Sequence, residues 1–239
     1  MRVVVMPMAG RGSRFKEVHP CKVKADVHGV PMFVHSIQNL GCSFDRVILI
    51  ARREHEIGLY CSELGLTDYT IVEIDEETDG PMDTVLKARS LIYDDEEIII
   101  ANSDQVMCWN GDWALDWLKS RGAVGGIPTM TKKSSRHSYV RIDENYPGKI
   151  AEVREKERIS ERATIGFYWF SQAKDLWSAA ERMYEFNDRA PNGEFYVGPV
   201  YNYLEGLILE YPLCEFWSIG EPDNLEAYLN KDYESLKND

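Results

Sequence analysis

Gly10 and Gly12 stand two places apart in the stretch MPMAGRGSRF, directly after the apolar run RVVV, and Arg11, Arg14, Lys16, Lys22 and Lys24 gather beside them. A short glycine turn leaving a strand suits phosphate, because backbone N–H groups point inward and the missing side chains let an anion approach closely. Spacing excludes two familiar forms of such a loop. The dinucleotide pattern GxGxxG needs a third small residue where Phe15 stands, and GxxxxGK followed by Ser or Thr occurs nowhere. From the loop alone, phosphate binding and a plain strand-to-helix turn both stay open.

The charge balance gives the basic group weight. At a formal net charge of −13 the chain has no general attraction for nucleic acid or an anionic membrane surface. Cations for a phosphorylated ligand must therefore be gathered locally. His19, His28, His35, His55 and His137 show no metal-ligand spacing, and the five cysteines, scattered without a CxxC pair, suggest neither disulfide nor zinc. No run reaches the roughly 18 apolar residues of a membrane span, and the N-terminal MRVVVMPMAG is too short for a signal peptide, so a cytoplasmic protein is expected.

Strands and helices alternate through the first half. RVVVM, DRVILIA, YTIVEI and EEIIIAN read as strands. PMFVHSIQNL from Pro31, REHEIGLYCSEL, and PMDTVLKARSLI read as helices, the last with Val85, Ala88, Leu91 and Ile92 on one face. Apolar strands alternating with helices imply a parallel sheet covered on both faces, whose ligands lie outside the carboxyl ends of the strands. That places Gly10 to Arg14 and Asn102 to Gln105 at one edge. Beyond Gly125 the pattern changes to SYVRID, KIAEVRE and TIGFYWF as strands, helices at about 172 to 185 and 197 to 208, a strand LCEFW, and a last helix from Pro222 whose Leu225, Tyr228, Leu229 and Leu236 share a core face. This half reads as an antiparallel extension of the same sheet carrying a lid over the substrate. The scattered Tyr and Trp residues read as core.

The order of motifs resembles the sugar nucleotidyltransferases, or nucleotide-sugar pyrophosphorylases. MPMAGRGSRF followed by HPCKVKADVHGVPMFVHSIQNL is similar to their glycine loop with its arginine, signature lysine and turn, matched by Gly10, Gly12, Arg14, Lys22, Gly29 and Pro31. DGPMDTVLKA resembles the base-recognition segment, ANSDQV the strand end with the magnesium aspartate, and REKERISERATIGFYWF the stretch with a sugar-contacting glutamate and phosphate-contacting lysine; NGEFYVGPVYNYL and FWSIGEPDNLEAYL complete the series. The resemblance implies an α/β fold with a Rossmann-like, mixed and mostly parallel sheet flanked by helices, as in nucleotide-diphospho-sugar transferases and the GT-A-like fold. It implies a single domain over 1–239, with a nucleotide-binding half to about 125 and a sugar-phosphate-binding half from about 126. Departures from the pattern are Cys21, where proline usually precedes the lysine, Val30 for a common lysine in the turn, and Ser218 where many relatives carry a second magnesium aspartate.

The implied reaction is attack of a sugar 1-phosphate oxygen on the α-phosphorus of a nucleoside triphosphate, with pyrophosphate leaving. The nucleophile is already an anion, so the work is positioning, relief of anionic repulsion and stabilisation of charge, which calls for Mg²⁺, fixed cations and backbone donors. By the resemblance, Asp104 binds Mg²⁺, Arg14 clamps the leaving phosphates, Lys22 neutralises the triphosphate near the attacked phosphorus and Lys156 holds the incoming phosphate. Met8, Ala9, Gly10, Gly12, Ser13, Gly80 and Thr84 are expected at the nucleotide, with Met6 beside them, and Glu155, Gly166 and Glu194 at the sugar phosphate. A non-sugar acceptor such as phosphocholine, a nucleotide-sugar-dependent glycosyltransferase and a catalytically silent relative are the alternatives. Asp79, where uridine and thymidine readers often have glutamine, leaves cytidine and guanosine triphosphates open. The expected partners are the nucleoside triphosphate and the sugar phosphate, with a homo-oligomer possible.

Overall fold

A computed structural model describes residues 1–231 apart from 11, 13, 14, 18, 64, 67 and 133–136. Arg11, Ser13, Arg14 and Leu236, singled out above, lie outside the described residues. In chain order the first half comprises β1 (Arg2–Met8), β2 (Asp26–Val27), β3 (Val30–Pro31), α1 (Met32–Gln38), β4 (Arg46–Arg52), α2 (Gly58–Glu63), β5 (Tyr69–Ile74), α3 (Pro81–Leu86), β6 (Glu97–Ala101), β7 (Gln105–Met107) and α4 (Gly111–Ser120). There follow β8 (Ala123–Thr131), β9 (Ser138–Ile142), β10 (Ile150–Glu155), β11 (Arg162–Thr164), β12 (Phe167–Phe170), α5 (Ala173–Glu185), β13 (Leu207–Pro212), β14 (Phe216–Ser218) and α6 (Pro222–Leu229).

The class is the expected one, an α/β fold around a mixed sheet flanked by helices. Its order is β10-β9-β11-β8-β12-β6-β1-β4-β5, with β13 pairing β8. The strands β6, β1, β4 and β5 run parallel. Antiparallel β12 joins β6 to β8 and so links the second half to the same sheet. Alternation in the strands feeds two cores. Val3 and Val5 of β1, with Ile98 and Ile100 of β6, pack on one face with Leu176, Trp177 and Ala180 of α5. Val4, Met6 and Ile99 face the other way, onto Phe33 and Ile37 of α1 and Leu115 and Leu118 of α4. Successive side chains of a strand point to opposite faces, so unbroken apolar runs are the mark of strands covered on both. A third, smaller core joins Phe15, Val27, Met32, Val106, Trp217 and Leu225, and it ties the glycine loop, the β7–β14 ladder and α6 together beside the strand ends.

Several expected elements take other forms. The helix from Pro81 ends at Leu86 and is followed by a 3₁₀ turn, Arg89–Leu91, whose fewer residues per turn, and so larger rotation per residue, break the α-helical face and leave Leu91 40% exposed. The helix expected over 197 to 208 is a 3₁₀ segment, Gly198–Tyr203, and Gly206 at φ 123° turns the chain into β13 from Leu207. The strand read in LCEFW is confined to Phe216–Ser218. In α6 only Leu225 is buried, and Leu229, the last residue of this short helix, is 38% exposed. Trp113 and Tyr93 are exposed, the former on the outer face of α4, so not every aromatic side chain is core.

β2, β3, β7, β11 and β13 have no counterpart among the elements read from the sequence, and neither do α4 and β8. α4 starts at Asn110, whose side chain accepts a hydrogen bond from the Trp113 N–H as an N-cap. β8 is disguised by Gly125 and Gly126, residues that disfavour strands. Both are required by close packing: a Cβ on Gly126 would lie 2.4 Å from Leu118 Cδ1, and one on Gly125 would lie 2.7 Å from the Tyr201 ring.

Candidate active site

The carboxyl ends of β1 and β6 open into a cleft of about 1050 Å³. Gly10, Gly12, Lys22, Asn102 and Asp104 line it, so the two segments expected at one edge do meet there. Met8 also borders the cleft, although its side chain and that of Ala9 are nearly all buried. The loop is anchored by Phe15, fully buried, whose N–H donates to the Gly12 carbonyl at 2.8 Å. Gly12 has φ 57°, and a Cβ there would lie 2.8 Å from Lys22 Cβ. The glycine therefore serves two ends, a left-handed turn and room for the lysine stem.

Lys22 opens the 3₁₀ turn Lys22–Lys24, and its Nζ lies 2.5 Å from Asp104 Oδ2. Cys21, just before it, sits at φ −130°, which proline cannot reach, and its N–H donates to His19 Nδ1 at 3.1 Å. The departure from the family pattern at this position is thus built into the backbone here. Asp104 lies between β6 and β7, and its carbonyl accepts the Ile219 N–H at 2.8 Å. Gly220 packs directly on the ion pair: a Cβ there would fall 2.0 Å from Asp104 Oδ2 and 2.9 Å from Lys22 Nζ. Ser218 is held in the β14–β7 ladder opposite Gln105.

Among the described residues no three His, Cys, Asp or Glu side chains cluster as a ready-made metal site. The Asp104 carboxylate, one-fifth exposed beside the cleft and paired with Lys22, suits Mg²⁺, which commonly uses one or two carboxylates together with substrate phosphates and water. The donor set fits Mg²⁺ entering with a triphosphate.

The remaining expected residues divide. Lys156, in a left-handed conformation at φ 58°, donates from Nζ to the Tyr196 hydroxyl at 2.6 Å, and Tyr196 borders the cleft. Gly166, at φ 80°, packs so closely on Asn102 that a Cβ would lie 2.1 Å from its Nδ2. It supports a cleft residue and is not itself among those lining the cleft. Gly80, at φ 122°, presses on the backbone of Phe195 and on Glu194, bringing the expected base and sugar segments into contact. Thr84, expected to offer its hydroxyl to the base, is buried and shares that hydroxyl with Thr78 Oγ1 at 2.7 Å and the Gly80 carbonyl at 3.2 Å.

Glu155 is likewise buried, hydrogen-bonded by the Ser138 hydroxyl. Its carboxyl is pushed up to about 7, first by burial and slightly by Glu194, against the opposing Ser138 hydrogen bond and Lys156 charge. The folded protein then holds a proton that the unfolded chain has released, so stability is lost as pH rises from the ordinary carboxylate range through about 7. Glu155→Gln removes this dependence. We expect it to be more stable than the parent by on the order of 2–3 kcal/mol near pH 8 and little different near pH 4. Urea unfolding at the two pH values checks this; equal pH slopes for the two proteins would show that Glu155 titrates alike in the folded and unfolded chain, with no upward shift from burial.

Sequence reasoning passed over other cleft residues. Arg52, Glu54, His55 and Glu77 form a mixed-charge part of the cleft wall, with Arg52 2.9 Å from Glu54 and 3.8 Å from Glu77. Their signal was only that β4 ends at Arg52, since the rule for parallel strands applies to this strand too. Gly220 was visible in FWSIG but not its packing on Asp104, which depends on the β7–β14 pairing.

A sequence model of the MobA-like NTP transferase domain matches residues 4–161, more than half of the chain. Similar solved structures include a nucleoside-diphosphate-sugar pyrophosphorylase from Vibrio cholerae RC9, 24% identical with TM-score 0.79 over 95% of this chain and 99% of that one. A UDP-glucose pyrophosphorylase complexed with UDP-glucose is 14% identical with TM-score 0.77, covering 98% and 99% of the two chains. UTP-bound UGPase from Acinetobacter baumannii is 12% identical with TM-score 0.73, covering 97% and 93%. At these identities the likeness is one of fold. No curated protein matches.

Proposed function

The chain belongs to the family of the MobA-like NTP transferase domain, and from that premise we propose that it joins a nucleoside triphosphate to a sugar 1-phosphate, giving a nucleotide sugar and pyrophosphate. The observation that carries this reading is the convergence, in one cleft, of the Gly10 to Gly12 loop, Lys22 and Asp104. An acidic chain with cations and open backbone at parallel strand ends has the features that a triphosphate requires.

In this reading the backbone of the glycine loop and Lys22 hold the triphosphate, and Asp104 would hold the Mg²⁺ that enters with it. Bound there, Mg²⁺ supplies Lewis-acid neutralisation of charge on the phosphates. Lys22 shifts from the carboxylate towards the α-phosphate and lessens its repulsion of the incoming anion. Lys156, from the second half of the chain, is assigned to draw the sugar phosphate in, because its ammonium reaches the hydroxyl of Tyr196, which borders the cleft. The attacking oxygen needs no general base, and none is assigned. Gly80 and the wall of Arg52 and Glu77 are assigned to the base, because a wall carrying two glutamates repels phosphate yet offers donors and acceptors to a neutral heterocycle. The part up to about 125 thus serves the nucleotide and the part from about 126 the acceptor.

The test is a grid of the nucleoside triphosphates against sugar 1-phosphates and phosphocholine with Mg²⁺, scored by pyrophosphate release. One sugar 1-phosphate pair should stand well above the rest. Release with phosphocholine alone would move the acceptor class, and triphosphate binding without release from any pair would identify a silent relative.

A further inference from the structure

We propose that Lys22 guards the metal-coordinating oxygen of Asp104 until a triphosphate arrives, and that Gly220 is the positioning residue that keeps this carboxylate in reach; the proposal rests on the metal role of Asp104 given above. Lys22 Nζ stands 2.5 Å from Asp104 Oδ2, and both side chains are only about one-fifth exposed, at 23% and 21%. A magnesium ion would have to lie about 2.0–2.1 Å from such an oxygen. An ammonium held on Oδ2 offsets the charge of the carboxylate and repels a second cation brought to either of its oxygens, so the two cations compete for Asp104.

The packing holds the ammonium in place. Its stem lies against Gly12, where a Cβ would come within 2.8 Å of Lys22 Cβ. From the other side Gly220 closes on both charged groups, and the Ile219 N–H fixes that turn to the Asp104 carbonyl at 2.8 Å. Gly220 does not have a positive φ, so glycine is demanded here by space alone. A triphosphate in the cleft changes the balance: its oxygens compete with the carboxylate for the ammonium and add ligands for the metal. Metal and nucleotide therefore enter together, and a free divalent cation is kept off.

The experiment titrates the nucleotide-free protein with Mn²⁺ alone, following bound metal by electron paramagnetic resonance, with circular dichroism confirming that each variant is folded. Lys22→Met keeps the stem against Gly12 and deletes the charge, and Lys22→Gln is the second variant should the first misfold. Either should bind Mn²⁺ at least about tenfold more tightly than the parent, within the usual range of coupling between sites. Adding Asp104→Asn, or Gly220→Ala whose methyl group displaces the carboxylate, should abolish the gain. Lys24→Met, at another cation of the same cleft, should leave Mn²⁺ binding near the parent value. No tightening in the Lys22 variants, an equal gain in Lys24→Met, or a gain that survives Asp104→Asn would overturn the guard, and a gain that survives Gly220→Ala would overturn the role of that glycine. If Asp104→Asn keeps full metal-dependent turnover, the proposed metal site itself fails; if it loses turnover while Lys22→Met gains no Mn²⁺ affinity, only the guard fails.

Discussion

Asp104→Asn is expected to reduce metal-dependent turnover by about a hundredfold or more, the usual cost of losing a group that stabilises transition-state charge. Asparagine keeps the shape that packs against Gly220 and leaves the carbonyl that accepts the Ile219 N–H unchanged. The loss should thus come without a large fall in stability, because Lys22 is partly exposed and can take water in place of the carboxylate. Pyrophosphate release at graded Mg²⁺ concentrations, with thermal unfolding alongside, measures both. Ser218→Ala should cost far less, since a neutral hydroxyl is a poor magnesium ligand and this one sits in the β14–β7 ladder. Equal losses from the two substitutions would show that Ser218 coordinates the metal and that Asp104 does not act alone.

Lys22→Ala should lower kcat by about a hundredfold and raise the KM for triphosphate by much less, because the ammonium is assigned to charge that grows as the acceptor phosphate closes in. Other cations border the cleft, among them Lys16 and Lys24, so ground-state attraction of the triphosphate persists without it. Steady-state kinetics at saturating acceptor separates the two parameters. A change confined to KM would assign Lys22 to uniform binding of substrate, and its pairing with Asp104 would then have no part in the chemical step.

The apolar runs RVVV, VILI and EIII were enough to mark buried parallel strands, since strands covered on both faces cannot alternate apolar with polar residues. Their carboxyl ends then located the cleft before any contact was known. The order of motifs likewise pointed to the family. What it could not reveal was anything set by packing between distant segments. Gly125 and Gly126 hid a central strand because their need for smallness comes from Leu118 and Tyr201. Thr84 and Glu155 looked free to meet a ligand, and each is turned inward to a partner, Thr78 and Ser138, which no local pattern reveals.

By itself, then, the sequence determined the class of sheet, the edge at which the cleft opens and the residue types gathered there, because backbone periodicity and the alternation of strands with helices are local or short-range properties. Only the tertiary structure decided that the Lys22 ammonium donates to Asp104 Oδ2, 82 residues away, and that Gly220 closes over them. That contact exists because the β7–β14 ladder and the small core around Phe15 and Trp217 draw three remote segments together, and a contact between remote segments leaves no periodic trace in the chain.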